Sequence, residues 1–164
     1  MRVLFKFDSQ RAVDAWRSID DGVMGGVSVS RLRFDPAGHA VFEGHVSLEN
    51  NGGFASVRSD PIDLALANAI YYEIELRGDA KRYKLNIRTD DSMDGVIYQA
   101  MFAPPAGAWT RLKLPVTGFQ PTFRGRSVSG AAPLDPARAR QMGLLIGGRQ
   151  SGDFSLSVRS IRVT

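Results

Sequence analysis

The chain has 164 residues, 43% hydrophobic and 23% charged, with no cysteine, two histidines and a net charge of +4. That length and balance suit one globular domain over residues 1–164 with a single core, and they exclude a disordered chain. They also exclude a disulfide framework, a thiol nucleophile and a cysteine-based zinc site, and the apolar runs are too short to span a bilayer as helices.

The opening MRVLFKFDSQ has neither the apolar core of a signal peptide nor an Arg/Ser-rich transit pattern, so a cytoplasmic protein is expected. It reads as a strand with Val3, Phe5 and Phe7 on one face. Next comes SIDDGVMGGVSVS (18–30), where three glycines, two adjacent aspartates and a methionine interrupt the strand pattern. The stretch lacks G-x-G-x-x-G spacing, opens no helix and has no Lys-Ser/Thr pair, so it is neither a dinucleotide fingerprint nor a P-loop. Its glycines suit positive φ or close backbone approach, and Asp20 and Asp21 read as turn caps in preference to cation ligands.

GVSVSRLRFD, HAVFEGHVSLE and YYEIELRG then alternate with period two, as half-buried strands do. RYKLNIRTDD turns Tyr83, Leu85 and Ile87 toward a core and Lys84, Asn86 and Arg88 outward. DDSMDG (90–95) sets Asp90, Ser92, Asp94 and Gly95 at positions 1, 3, 5 and 6 of a calcium loop, but Met101 stands where that motif needs a bidentate glutamate. A hairpin turn accounts for it better. GVIYQAMFAP and WTRLKLPV are further strands. LDPARARQMGLL offers an Asp135 cap, Pro136 at the first helical position and a stop at Gly143, which predicts one short helix. GLLIGG reads as a strand. The closing DFSLSVRSIRVT alternates Phe154, Leu156, Val158 and Ile161 against Ser155, Ser157 and Arg159, given one irregularity near Ser160. About nine short strands with Gly, Pro and Asp turns imply an all-β, two-sheet antiparallel sandwich.

Candidate chemistry is sparse. His39 falls in the turn DPAGHA and His45 on a strand, neither beside a nucleophile motif, so no catalytic residue, cofactor or metal is expected. Asn86, Arg88 and Gln99 lie outward on adjacent predicted strands. With Tyr98, and Trp109 or Tyr83, they form a candidate sugar platform in which rings stack and amides read hydroxyls; a solvated sheet face is the plainer reading. Residues 121–150 hold Arg124, Arg126, Arg138, Arg140 and Arg149 against the single acid Asp135, so this segment alone carries the net charge. It is either a solvated surface or a patch for an acidic partner surface, a phosphate or an anionic headgroup. Without a basic helix or an RNP-like aromatic strand, no nucleic acid is expected.

WRSIDDGVMGGVS (16–28), FEGHVSLENNGGFASVRS (42–59), RTDD (88–91), YQAMF (98–102), FQPTFRGR (119–126) and DFSLSVRSI (153–161) occur in one order along nearly the whole chain. In that series the chain resembles the complex I intermediate-associated protein family. The resemblance implies a galactose-binding-like jelly roll, related in shape to carbohydrate-binding modules. It implies a noncatalytic assembly factor that binds a subunit or assembly intermediate of respiratory complex I, the NADH:ubiquinone oxidoreductase. A stand-alone bacterial member, monomeric and in peripheral contact with the inner membrane, is the corresponding expectation. The expected partner surface comprises Asp21, Met24, Gly25, Gly26, Phe54, Arg58, Arg124 and Arg126. The alternative, a sugar-binding module, uses Asn86, Arg88, Tyr98 and Gln99.

Overall fold

The structure, a computed structural model, describes residues 1–89 and 95–164. The calcium-like stretch Asp90–Asp94 lies outside the described residues. In chain order the elements are β1 (Arg2–Lys6), α1 (Gln10–Asp14), β2 (Trp16–Ser18), β3 (Val29–Asp35), β4 (His39–Val46), β5 (Ala55–Ser59) and β6 (Tyr71–Arg77). There follow β7 (Tyr83–Thr89), β8 (Ile97–Phe102), β9 (Trp109–Pro115), β10 (Gln120–Phe123), β11 (Arg126–Ser127), β12 (Ala139–Ile146) and β13 (Gly152–Val163).

The strands form two antiparallel sheets packed face to face, the two-layer sandwich that their alternation predicts. One sheet runs β3-β4-β13-β6-β9, and the other runs β11-β10-β8-β7-β12-β5-β2. The long β13 uses its N-terminal half to pair with β4, its C-terminal part to pair with β1, and its other edge to pair with β6. The register slips between Val158 and Ser160, so the irregularity expected near Ser160 is a bulge that returns Ile161 to the core. β7 alternates strictly, with Tyr83, Leu85 and Ile87 buried and the residues between them facing out.

Between the sheets an aromatic cluster sets the spacing. Phe42 packs edge-on to Phe154 at 4.9 Å and to Tyr83 at 6.2 Å, and Tyr83 stacks on Phe102 at 6.1 Å. Trp16 is buried and meets Phe5 at 5.0 Å, sealing one end of the core as an anchor for β2. Burial pushes the Tyr72 hydroxyl pKa up to about 12, with the nearby Asp135 carboxylate adding to it.

Three expectations need correction. The predicted helix after Asp135 is a single 3₁₀ turn, Pro136–Arg138, in which the Asp135 side chain accepts from the Ala137 N–H at 3.0 Å. β12 then runs straight through Gly143, because hydrogen bonding to β5 on one side and β7 on the other outweighs any local helical preference. A helix unanticipated from the pattern, α1, is five residues long; Ser9 caps it by accepting from the Ala12 N–H, and Val13 is its buried anchor. In β1 a register shift between Val3 and Phe5 breaks the expected apolar face, leaving Val3 at the surface while Phe7 is buried.

Candidate functional site

The stretch DDGVMGG is organised by its two carboxylates. Asp21 is fully buried, and its Oδ1 accepts from the Ser28 N–H at 2.9 Å. Its Oδ2 accepts from the Ser28 hydroxyl at 2.5 Å and from the Gly53 N–H at 2.8 Å. Burial pushes this carboxyl up. The hydrogen bonds from the Ser28 side chain and from the Gly53, Ser28 and Phe54 backbone outweigh that penalty and hold its pKa below the ordinary value. Asp20 likewise bridges two segments, accepting from the Ser30 hydroxyl at 2.5 Å and from the Ser56 N–H at 3.0 Å. The pair therefore pins the 21–28 loop to the 47–56 segment.

The neighbouring glycines follow from this. Residues Asp21–Met24 form a 3₁₀ turn closed by Gly25 in the left-handed region at φ +86°. A Cβ on Gly26 would lie 2.4 Å from Asp21 Cγ, and one on Gly52 would lie 2.4 Å from Asp21 Oδ2. Asp21, Gly25 and Gly26 were expected at a partner surface. The structure makes Asp21 an internal staple with Gly26 packed against it, while Gly25 stays exposed.

What the stapled loop presents is Met24, 62% exposed at the lip of a cleft of about 990 Å³. The floor of the cleft is the outer face of the β11-to-β2 sheet. Hydrogen-bonded register aligns one row across it: Arg17, Arg58, Gly143, Asn86, Gln99 and Gln120, on β2, β5, β12, β7, β8 and β10 in turn. Gly143 puts a low point between Arg58 and Asn86. Arg88 stands beside Gln141 in the next row. Phe54 and Met24 form one wall, and Phe123 with Arg124 forms another.

Arg124 and Gly125 are the two loop residues of a tight hairpin between β10 and β11, both at positive φ (+50° and +78°). That is the geometry of a two-residue turn matched to strand twist. It holds Arg124 over the Phe123 ring at 5.2 Å.

The cleft thus brings together Met24, Phe54, Arg58 and Arg124 from the expected partner surface with Asn86, Arg88 and Gln99 from the expected ligand set. Arg126 is exposed on β11 and does not line it. Tyr98 needs correction. It lies on the opposite face of β8 from Gln99, buried, with its hydroxyl donating to the Ala132 carbonyl at 2.8 Å. Successive strand residues point to opposite faces, so Tyr98 and Gln99 cannot share a surface. Tyr83 is likewise core, and Trp109 sits on the other sheet between Arg159 and Arg77.

Lys84, Gln141 and Arg149 also line the cleft. Lys84 was legible as an outward residue of β7. Gln141 was hidden by the helical reading of its segment; its Nε2 donates to the Ser59 carbonyl at 2.7 Å.

Neither histidine faces the cleft. His39 opens β4, is buried against Trp109 at 5.1 Å, and has its pKa lowered by burial. His45 is exposed, with Nδ1 2.8 Å from Asp153 Oδ1. Among the described residues no group of three His, Cys, Asp or Glu side chains is placed to hold a metal ion, and no helix is long and apolar enough to cross a membrane.

Known proteins similar to this chain fall into two sets. In fold it is similar to a family 11 carbohydrate-binding module from Clostridium thermocellum, solved in complex with a β-1,3-1,4-mixed-linked tetrasaccharide. That likeness has a TM-score of 0.72 at 16% identity, over 99% of this chain and 94% of the module. An exo-β-agarase structure matches with a TM-score of 0.63 at 10% identity, over all of this chain and 25% of the enzyme. At such identities the likeness concerns the fold.

In sequence, an uncharacterized protein of Schizosaccharomyces pombe is 30% identical, over 99% of this chain and 83% of its own length. A Caenorhabditis elegans protein named "Probable complex I intermediate-associated protein 30, mitochondrial" is 25% identical over 99% of this chain. The chain spans 54% of that relative's length. The family described as complex I intermediate-associated protein 30 matches residues 5–158, from the first strand to the middle of the last, and the chain belongs to that family.

Proposed function

We propose that this chain is a noncatalytic binding domain that docks on a protein subunit or assembly intermediate of respiratory complex I, using the cleft and its Met24 and Arg124 walls. The observation that carries this reading is the family match over residues 5–158, which spans every strand that builds the cleft. The stapled loop supports it too. An exposed methionine on a hydrogen-bonded turn is an adaptable apolar contact that can repack against an irregular partner surface. A factor of this kind covers a subunit surface until the proper neighbour arrives and then leaves, so its interface is of standard size or smaller.

The test is capture of tagged full-length protein from gently solubilised membranes of its own host, beside Met24→Asp and Arg124→Glu. Complex I subunits enriched by the wild type and lost with either variant are the expected result. Normal complex I assembly in a strain lacking the protein would overturn the reading. The alternative, a module for neutral sugars, draws support from the shape of the fold and from the Asn86–Gln99 pair. It is weakened by the burial of Tyr98 and Tyr83, which removes the expected stacking faces from the cleft floor.

A further inference from the structure

The fold gathers five cations into the cleft: Arg58 from β5, Lys84 and Arg88 from β7, Arg124 from the β10–β11 turn and Arg149 from the turn after β12. No carboxylate is among the described residues that line it. None of the five has an ion-pair partner among the described residues, whereas Arg17, Arg31, Arg33, Arg111, Arg140 and Arg159 all pair with acids elsewhere on the surface. Like charges held this close repel one another. Arg58 registers it, its pKa lowered first by burial and then by Arg88 and Arg17. An anionic occupant would relieve that repulsion, and guanidinium groups grip carboxylates bidentately.

Two further observations narrow the class. Asn86 lines the middle of the floor, and its side-chain amide is a group that the peptide groups of an occupant can pair with. Among the described residues the floor carries no aromatic face on which a pyranose ring would stack, and the aromatic rings of the lining, Phe54 and Phe123, stand in the walls; the rim carries exposed apolar groups, Met24 at 62% and Phe123 at 42%. Backbone N–H donors, carboxylates and apolar side chains occur together in a polypeptide.

We infer that the cleft takes an extended acidic segment of the protein partner, laid across the strands with carboxylates on Arg58 and Arg88 and an apolar side chain against Met24 or Phe123. This rests on the protein-binding reading above. Inside the cleft the aligned row crosses four strands, from Arg58 to Gln99, and Arg17 and Gln120 continue it on β2 and β10 beyond the lining residues. At about 4.8 Å per strand the six strands span about 24 Å, the reach of about seven extended residues.

The probe is a fluorescein-labelled peptide, Glu-Ser-Glu-Leu-Glu-Ser-Glu, titrated by anisotropy into the full chain in low salt. Its Gln-for-Glu counterpart, hexagalacturonate and vesicles containing phosphatidylglycerol serve as competitors. The acidic peptide is expected to bind, the Gln peptide and the other anions to compete poorly, and the Arg58→Gln/Arg88→Gln variant to lose about tenfold in affinity or more. Arg58→Lys/Arg88→Lys keeps the charge but not the bidentate grip and should bind between the wild type and the Gln variant, while an unchanged melting temperature in both variants separates loss of recognition from loss of folding. Failure of the peptide to bind at millimolar concentration, unchanged binding by the Gln double variant, or tighter binding of hexagalacturonate or vesicles would each overturn the inference. Complex I subunits captured equally by wild type and Gln double variant would sink the acidic-segment inference and leave the protein-binding reading standing. Peptide binding at the cleft with no complex I subunit captured would sink complex I as the client and leave the acidic-segment inference standing.

Discussion

At Asp21 one buried carboxylate accepts from the Ser28 N–H, the Ser28 hydroxyl and the Gly53 N–H at once. Asp21→Asn preserves shape but must turn its amide N–H₂ toward one of two backbone N–H groups. The expected cost is about 2–4 kcal/mol, read from urea unfolding. Because the folded-state pKa lies below the ordinary 3.8, the stabilisation is complete above that value and is lost as pH falls through the lower folded-state pKa. An acid titration of the wild type should therefore show a decline below about pH 4 that the Asn variant lacks in part. Gly26→Ala should destabilise by about 1–3 kcal/mol because its Cβ meets the Asp21 carboxylate. Gly22→Ala, with nothing within 4 Å, should be close to neutral. Equal thermal shifts for the two would contradict the staple. The sequence showed part of this: the aspartates read as turn caps, and the glycines as positions for positive φ or close backbone approach, as Gly25 and Gly26 are. That Asp21 is buried was not legible, since only the fold reveals which N–H groups converge on it.

Among the elements, the β10–β11 hairpin holds Arg124 at φ +50°, a conformation that suits Asn or Gly better. Arg124→Asn should therefore raise stability by about 0.5–1 kcal/mol while weakening acidic-peptide binding; loss of stability would mean that the turn is not strained at this residue. The strands themselves were largely written in the alternation. β7 could be read residue by residue, and the bulge near Ser160 announced itself as a break in period two. β12 was misread because Asp135-Pro136 is a true helix-start signal that serves one turn only. The pattern after it is set by β5 and β7, which sequence spacing does not expose. Assigning Gln141 to a helix also hid its place beside Arg88. Tyr98 is a different kind of miss: period two already separated it from Gln99.

Over the whole molecule, charge by position in the sequence and charge by position in space tell different stories. The arginine-rich 121–150 segment disperses: Arg140 pairs with Asp63, and Arg126 stands off the cleft. Arg124 and Arg149 instead join Arg58, Lys84 and Arg88 from distant strands. Partner affinity should therefore fall steeply as salt rises from about 0.05 to 0.5 M, as the Debye length shrinks below the spacing of these groups. Salt-independent binding measured over that range would assign the affinity to the apolar rim.

On the proposed function, the cleft is where this family member meets its client. The most direct measurement is in-cell photo-crosslinking from a benzoyl-phenylalanine placed at Gln99 on the cleft floor, with Lys113 on the opposite sheet as the comparison. A crosslink to a complex I subunit is expected from position 99 and none from position 113. Crosslinks to such a subunit from position 113 alone would contradict it and move the docking surface to the other face of the sandwich.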